Sequence, residues 1–497
     1  MAGSPDRRST RSARSSDRPD RNSVRAAVLL VAGAAVLVRV PAMGHPLSPD
    51  EAGFLMVAAQ WHAGDSLYGD YWVDRPPVLI GLFWLANVLG GQFGLRALGL
   101  VAVATSVVLA SQVGAQIAPR VRWAPVLTAG TAAAFLVSAQ FGARMVNGEL
   151  LAVPFVLAGV VACLHALARG RTLWWGAAGA SAMAAALVKQ SLADVFVLAG
   201  FLGLWLVLRG RPQAAVRAAG GFVLGALAML IGALALSAVH GTGPLDLFHA
   251  VVTFRIEAGE VISAEALDNT TARGWRLALG FVTSGAVLLV VLGLFIGRRR
   301  DGAPAAVPDP RLLAVVLLAW ELTAVALGGS YWRHYLIGTV PGLVVATAAA
   351  LALRPARTRL VALVVAYAAV LGIGNTVIRL VDPLEPPSGA PAAEYLRENA
   401  RPGDTATVAF GNPAILHSAG LDSPYPDLWS LPVRVRDPDL ERFGALLASP
   451  ERPDWIVVRG AGLATWGVDA SSASPLLYRD YALAFRGRDF LVLRAKR

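Results

Sequence analysis

Asp50 and Glu51 stand side by side in His45-Pro46-Leu47-Ser48-Pro49-Asp50-Glu51-Ala52-Gly53-Phe54, directly after the first long apolar run. The segment they open closes on Asp74-Arg75-Pro76-Pro77. Carboxylates beside a bilayer are costly when desolvated and rarely sit there for packing alone. A carboxylate can take a proton from a hydroxyl, and an Arg or Lys can hold an oxyanion. The same residues also fit a capped helix start: Ser48 as the cap, Pro49 at the first position, and Glu51 three residues after the cap. Capping can coexist with chemistry at Asp50 and leaves Glu51 the more structural of the two.

The elements that position these groups follow from composition. The chain has 497 residues, of which 56% are hydrophobic and only 15% charged, against about 25% charged in a soluble protein. Its mean hydropathy is +0.56. This is a polytopic membrane protein. Cys163 is the one cysteine and lies in an apolar run, so a disulfide framework and a Cys-based metal site are excluded. The net charge of +11 comes from arginines clustered between apolar runs, as a positive-inside bias requires, and not from a nucleic-acid-binding patch.

Stretches long enough to span occur at 24–41, 95–118, 123–143, 150–168, 172–188, 191–208, 218–239, 276–297, 312–329, 336–353 and 360–378. They predict about eleven transmembrane helices. Residues 1–23, rich in Arg, Ser and Asp, form a disordered basic cytoplasmic tail. The first apolar run could be a signal peptide, but Arg39 ends it without a convincing small-residue cleavage site, so a retained span is expected. With that tail inside, Arg120/Arg122, Arg169/Arg171, Arg209–Arg217, Arg298–Arg300 with Arg311, and Arg354–Arg359 all fall on the cytoplasmic side. Counting Val78–Leu89 as a span would invert this pattern. It is therefore expected to lie flat in the outer interface, with Phe83 and Trp84 at the headgroups.

The outer side then collects the polar residues with chemical potential. The first loop supplies Asp50, Glu51, His62, Asp65, Asp70, Asp74 and Arg75, and the second Arg144, Asn147 and Glu149. Lys189-Gln190 and Ser330-Tyr331-Trp332-Arg333-His334-Tyr335 follow. Lys occurs only at Lys189 and Lys496, so a Lys at an outer span end stands out, with snorkelling as its structural alternative. Arg144 and Glu149 are also placed to form a structural ion pair. The loop 240–275, with Arg255, Glu257, Glu260 and Glu265, suits short amphipathic helices lying over a site. Glu321 is an acid in mid-span with no partner that the sequence names. The seven histidines are dispersed without ligand spacing, so no His-based metal site is expected.

After Arg379 the composition changes. Residues 381–390 are a Pro-rich linker with Pro383, Pro386 and Pro387, and 391–497 read as a small soluble α/β domain on the extracytoplasmic side. A helix is predicted over 392–400, strands over 404–410 and 455–458, and a hairpin of 481–485 with 490–494 around Gly487. A domain of this size can hold its own core.

The first-loop Asp50-Glu51, and Arg75-Pro76-Pro77 leading into an apolar interfacial helix, resemble the GT-C glycosyltransferases. The likeness is to the family 39 group, which includes relatives of bacterial protein O-mannosyltransferases and the lipid A aminoarabinose transferase. That group commonly has Lys-Pro-Pro where this chain has Arg75-Pro76-Pro77, a departure that keeps the charge. Arg144-x-x-x-x-Glu149 looks like its second outer-loop element, and Lys189 matches a Lys after the fifth span. Arg333-His334-Tyr335-Leu336 with Pro341 looks like its Arg-x-Tyr-Leu…Pro element. The likeness covers roughly residues 25–380, a GT-C-like membrane domain of 24–380.

The resemblance implies a sugar donor on a polyprenyl phosphate and an acceptor hydroxyl on an extracytoplasmic glycan, lipid or protein. It casts Asp50 as general base, Glu51 as the second candidate for that role, and Arg75, Lys189 and Arg333 as contacts to the donor phosphate. Arg144, Glu149, His334 and Tyr335 would orient the acceptor. A divalent cation, Mg or Mn, is an optional partner in such enzymes. Single displacement would invert the anomeric centre. The chain would then sit in the cell membrane, with its N-terminus cytoplasmic and its C-terminal domain outside. Two alternatives belong to other classes: a multi-span lipid or solute transporter or flippase, and a non-catalytic envelope assembly protein. Against transport, the chain shows no two-half repeat, and its polar residues gather on one face rather than at mid-depth.

Overall fold

The computed structural model describes residues 21–62, 66–264, 268–295, 307–381, 387–460, 462–464 and 467–496. Most of the N-terminal tail, Asp65, Glu265, Arg298–Arg300, and Pro383 and Pro386 of the linker lie outside the described residues.

Among the described residues, each predicted span falls on a helix or, at 276–297, on a bent pair of helices. The membrane part comprises α1 (Arg21–Arg39), α4 (Gln92–Ile117), α5 (Ala124–Leu136), α6 (Gly148–Arg169), α7 (Thr172–Val188), α8 (Asp194–Leu208) and α9 (Pro212–Val239). It continues with α12 (Asp268–Thr283), α13 (Ala286–Leu294), α14 (Pro310–Leu327), α15 (Val340–Leu353) and α16 (Thr358–Val381). Between them lie α2 (Pro49–Ala59), α3 (Pro77–Val88), α10 (Pro244–Phe248) and α11 (Phe254–Ala264). Among the described residues, 7 helices are long and apolar enough to cross a membrane, or 8 if one bent pair counts as a single span. The predicted runs at 123–143, 172–188 and 191–208 correspond to the shorter apolar helices α5, α7 and α8.

The bent pair is α12 and α13, which meet at 61°. Its hinge is Gly285, whose φ of +90° a side chain would oppose. Close approach elsewhere depends on missing side chains. A Cβ on Gly179 or Gly225 would strike the facing backbone, so α7 and α9 touch through Gly176, Gly179, Gly221 and Gly225. At the centre runs α15, preceded by a 3₁₀ turn (Arg333–Thr339); 89% of this span is buried. The helix α3 has 12 residues, which is about 18 Å of rise against a hydrocarbon core of about 30 Å. Its Phe83 is buried and its Trp84 is 43% exposed.

The C-terminal part holds α17 (Ala390–Asn399), β1 (Ala406–Ala409), α18 (Ala414–Ala419), α19 (Ser430–Arg436), α20 (Glu441–Ala448), β2 (Trp455–Arg459), α21 (Ser474–Asp480), β3 (Tyr481–Arg486) and β4 (Phe490–Ala495). Its sheet has the order β1-β2-β4-β3, with β1 and β2 parallel and the other pairs antiparallel. Trp455, Ile456, Val457 and Val458 are buried, which is why β2 reads as a continuous apolar run and not an alternating one.

This domain sits on the loop between α2 and α3. Trp72 bridges to Asp427 and donates its N–H to the Pro426 carbonyl at 3.0 Å. The Tyr71 hydroxyl donates to Asp422 at 3.2 Å and accepts from the Ser423 N–H at 3.0 Å. Arg436 lies over the Trp72 ring at 4.4 Å, and Trp72 meets Phe254 of α11 edge-on at 4.5 Å.

Candidate functional site

The first turn of α2 separates the two acids that the sequence places together. Ser48 caps the helix, accepting from the Glu51 N–H at 3.3 Å, while the Glu51 Oε2 accepts from the Ser48 N–H at 2.9 Å. Glu51 is 1% exposed and forms a two-point ion pair with Arg96 of α4, with Arg96 Nη2 at 3.1 Å from Oε2. Its Oε1 also accepts from the Val146 N–H at 2.7 Å. A carboxylate with that many donors in the core fixes α2 against α4 and the loop before α6. The expectation of Glu51 as a second base is therefore corrected: its oxygens are already occupied by Arg96 and by the N–H groups of Ser48 and Val146.

Asp50, one residue earlier, is half-buried and faces the C-terminal domain instead. Its Oδ1 accepts from the indole N–H of Trp429, at 3.1 Å, in the C-terminal domain. Trp429 packs on Phe54 at 5.3 Å between ring centres. It fits only because residue 53 is glycine, since a Cβ there would strike the Trp429 ring and come within 2.8 Å of Pro413 Cγ.

Cations gather beside Asp50. Asp74, 6% exposed, pairs through Oδ1 with Arg75 Nη1 at 2.6 Å and through Oδ2 with Arg255 Nη1 at 2.8 Å. One carboxylate thus holds two guanidiniums side by side. Burial alone would raise the Asp74 carboxyl; Arg75 and Arg255 outweigh it and hold it below the usual range. Burial opposes the charge on Arg75, but Asp74, then Asp50 and Tyr335, overcome this and raise it. Arg75 also lies over the Phe54 ring at 5.6 Å.

The third cation is Lys189, which follows the last residue of α7. It is ion-paired with Glu149 in the first turn of α6 and lies over the Tyr335 ring at 4.5 Å. Burial draws the Lys189 ammonium down, Glu149 opposes this, and the charges of Arg75 and Arg255 act in the same direction as burial. His334 Nε2 is 3.8 Å from the same Glu149 oxygen. Gln190 donates to the Asp74 carbonyl at 3.1 Å and the Val251 carbonyl at 3.3 Å, joining the first loop to the segment before α11.

Asp50, Arg75, Lys189, Glu149, His334 and Tyr335 are thereby brought together at one end of the bundle. Two candidates are not. Arg144 does not pair with Glu149; it lines a small cavity with Arg39, His45 and Thr376. Arg333 is exposed and has no hydrogen bond or ion pair among the described residues. In its place stands Arg255, 38% exposed, from the loop 240–275. The sequence signal for Arg255 was a cation in an outer loop; for Arg96 it was a charge inside an apolar run. Trp429 carried no signal at all.

Glu321 does have partners. Its Oε1 accepts from the Gly342 N–H at 2.7 Å, and Asp194 of α8 lies against it, both residues being buried. The pair sits on α8 and α14, outside the cluster around Asp50. Among the described residues no three His, Cys, Asp or Glu side chains converge to hold a metal ion. Around Asp50 the other carboxylates are each paired with a cation, so this donor set does not fit a divalent metal and no chemical step is derived through one.

No protein-family model and no curated protein matches this sequence. Solved structures do. ArnT from Cupriavidus metallidurans bound to undecaprenyl phosphate superposes with a TM-score of 0.60 at 14% identity, over 94% of this chain and 97% of that one. The Archaeoglobus fulgidus oligosaccharyltransferase, tethered to an acceptor peptide with the NVT sequon, gives 0.55 at 12% identity, over 95% of this chain and 74% of that one. The chain has the GT-C fold of membrane glycosyltransferases.

Proposed function

We propose that this chain is a multi-pass membrane glycosyltransferase that moves a sugar from a polyprenyl-phosphate donor to an acceptor hydroxyl outside the cell membrane. The observation that carries the reading is the half-buried Asp50 beside Arg75, Arg255 and Lys189, at one end of a bundle with the GT-C fold. That one neighbour of the same fold is bound to undecaprenyl phosphate supports the donor class.

The residues divide the work by chemistry. Arg75 and Arg255 offer planar forks and Lys189 a point charge, suited to the two oxygen-rich faces of a departing phosphate. Negative charge grows on that phosphate as the bond to the sugar carbon breaks, and fixed cations stabilise it most at that moment. Asp50 accepts the proton of the acceptor hydroxyl as its oxygen attacks the sugar carbon from the side opposite the phosphate, which inverts the anomeric centre. Trp429 orients Asp50 through its indole N–H. Tyr335 and His334 flank the cations and shape the acceptor side. The cytoplasmic N-terminus and outer C-terminal domain follow from the positive-inside distribution of arginines.

The test is incubation of the purified chain with radiolabelled polyprenyl-phosphate sugars, scoring hydrolysis and transfer. Turnover of at least one donor is expected. Neither binding nor turnover across a panel of hexosyl and pentosyl donors refutes the donor assignment.

A further inference from the structure

We propose that the C-terminal domain carries a second binding site, for oxyanions borne on an acidic glycan. The site is a cleft of about 280 Å³ at the end of the sheet where β1 and β2 begin and the antiparallel β4 ends. Arg401, Arg452, Arg494 and Lys496 line it, with Asp404 and Asp454.

The two acids are committed to the walls. Asp404 accepts from the Arg401 N–H at 3.0 Å and the Trp455 indole N–H at 2.8 Å. Asp454 accepts from the Thr405 N–H at 2.9 Å. Three of the cations, in contrast, are held in place with donors to spare, and Arg401 is exposed at the rim. Arg494 lies over the Trp455 ring at 4.8 Å. Arg452 donates to the Lys496 carbonyl at 3.2 Å, and Lys496 Nζ to the carbonyls of Tyr478 at 3.2 Å and Arg479 at 2.8 Å. A guanidinium has five N–H donors and an ammonium three, so these contacts orient the groups without exhausting them. Four cations face two occupied carboxylates, and the nearby Asp480 is already held by Arg479, so the cleft is net positive and attracts anions.

Its position selects the ligand. The other end of β1 runs through Asn412 to Pro413, which lies against α2 at Gly53. The four residues of β1 alone put ~13 Å between the cleft and that membrane-proximal end. With α2 at the headgroups, as the activity proposed above requires, the cleft lies at the end of β1 away from them, and its ligand extends away from the membrane. Carboxylates and phosphates on a glycan have this reach, and both match the forks of Arg401 and Arg494. The cleft itself is independent of the activity proposed above; that its ligand is a glycan rests on that reading.

The experiment uses the full chain in phosphatidylcholine nanodiscs, titrated with an oligogalacturonate, phosphorylated dextran, neutral dextran and phosphatidylglycerol vesicles. The oligogalacturonate or the phosphorylated dextran is expected to bind saturably, more weakly as salt rises, and about tenfold more weakly to Arg401→Gln and to Arg494→Gln. Neutral dextran should not bind. Arg401 is exposed, so its variant keeps the test valid should Arg494→Gln, which loses the Trp455 stack, fold poorly. Unchanged affinity in a folded variant, equal binding of neutral dextran, a preference for the vesicles, or no binding of either acidic probe overturns the proposal. Acidic-probe binding without turnover of any donor would remove only the glycosyltransferase reading.

Discussion

Replacing Asp50 by Asn and, separately, Glu51 by Gln tests the division of labour within the acidic pair. Asn keeps an oxygen for the Trp429 indole N–H, which Asp50 Oδ1 accepts at 3.1 Å, so the docking of the C-terminal domain should survive. What is lost is the proton acceptor, worth about 100- to 10,000-fold in kcat, or about 3–5 kcal/mol in the barrier. Donor affinity should hold or improve, because a negative charge beside Arg75 has been removed. Glu51→Gln acts on a different quantity. It leaves Arg96, 4% exposed, without its carboxylate; breaking a buried pair from one side costs about 3–5 kcal/mol of stability. The assays are turnover of a labelled polyprenyl-phosphate sugar, equilibrium donor binding, and thermal unfolding in detergent. Asp50→Asn should unfold like the parent and turn over poorly, whereas Glu51→Gln should unfold early. Asp50→Asn turning over within about threefold of the parent, or Glu51→Gln folding normally while bound donor stays unreacted, refutes the reasoning.

Arg255→Ala should weaken donor binding about tenfold, whereas Arg333→Ala, at an exposed position with no ion pair among the described residues, should change it by less than about twofold; equal losses would restore Arg333 to the site. Gly53→Ala drives a Cβ into Trp429 and Pro413, so it should reduce turnover, leave donor binding intact and lower the melting temperature; unchanged turnover and melting would break the docking argument. The Asp74 carboxyl is held below its ordinary value by its two guanidiniums. Its contribution to stability is therefore complete above about pH 4 and disappears as pH falls through the depressed value. A melting-temperature profile should be flat with respect to this group from neutral pH down to about 4, with an acid limb that Asp74→Asn makes shallower.

The membrane helices were legible because each needs its own unbroken apolar length, a property local to the sequence. The strands of the C-terminal domain were legible for the same reason, with Trp455–Val458 apolar throughout and Gly487 marking a hairpin. The break between α12 and α13 was hidden because Gly285 sits in a run whose hydropathy continues across it. In the site, Ser48-Pro49-Asp50-Glu51 announced the cap, and the cap turned Glu51 inward. Its partner Arg96 lies 45 residues on and belongs to another helix, so no spacing rule could find it. Arg144 and Glu149 looked like a pair because five positions separate them. The chain, however, turns between them, with Asn147 capping α6 by accepting from the Leu150 N–H at 3.0 Å, and Glu149 meets Lys189 of the next hairpin instead. Trp429 reaches Asp50 across 379 residues, a contact that exists only once two separate units have docked.

Each cation of the cluster already has a carboxylate, and that has a consequence for turnover under the proposed function. Asp74 and Glu149 hold Arg75, Arg255 and Lys189 in position before any donor arrives. A donor phosphate must share those cations with the resident acids, so ground-state affinity is held down. The same competition acts on the lipid phosphate left after transfer, which the acids help to displace. In the transition state the balance shifts, because the phosphate gains charge while Asp74 and Glu149 do not. The pairing therefore weakens binding of substrate and product more than it weakens stabilisation of the leaving group, which is the direction that favours kcat over affinity.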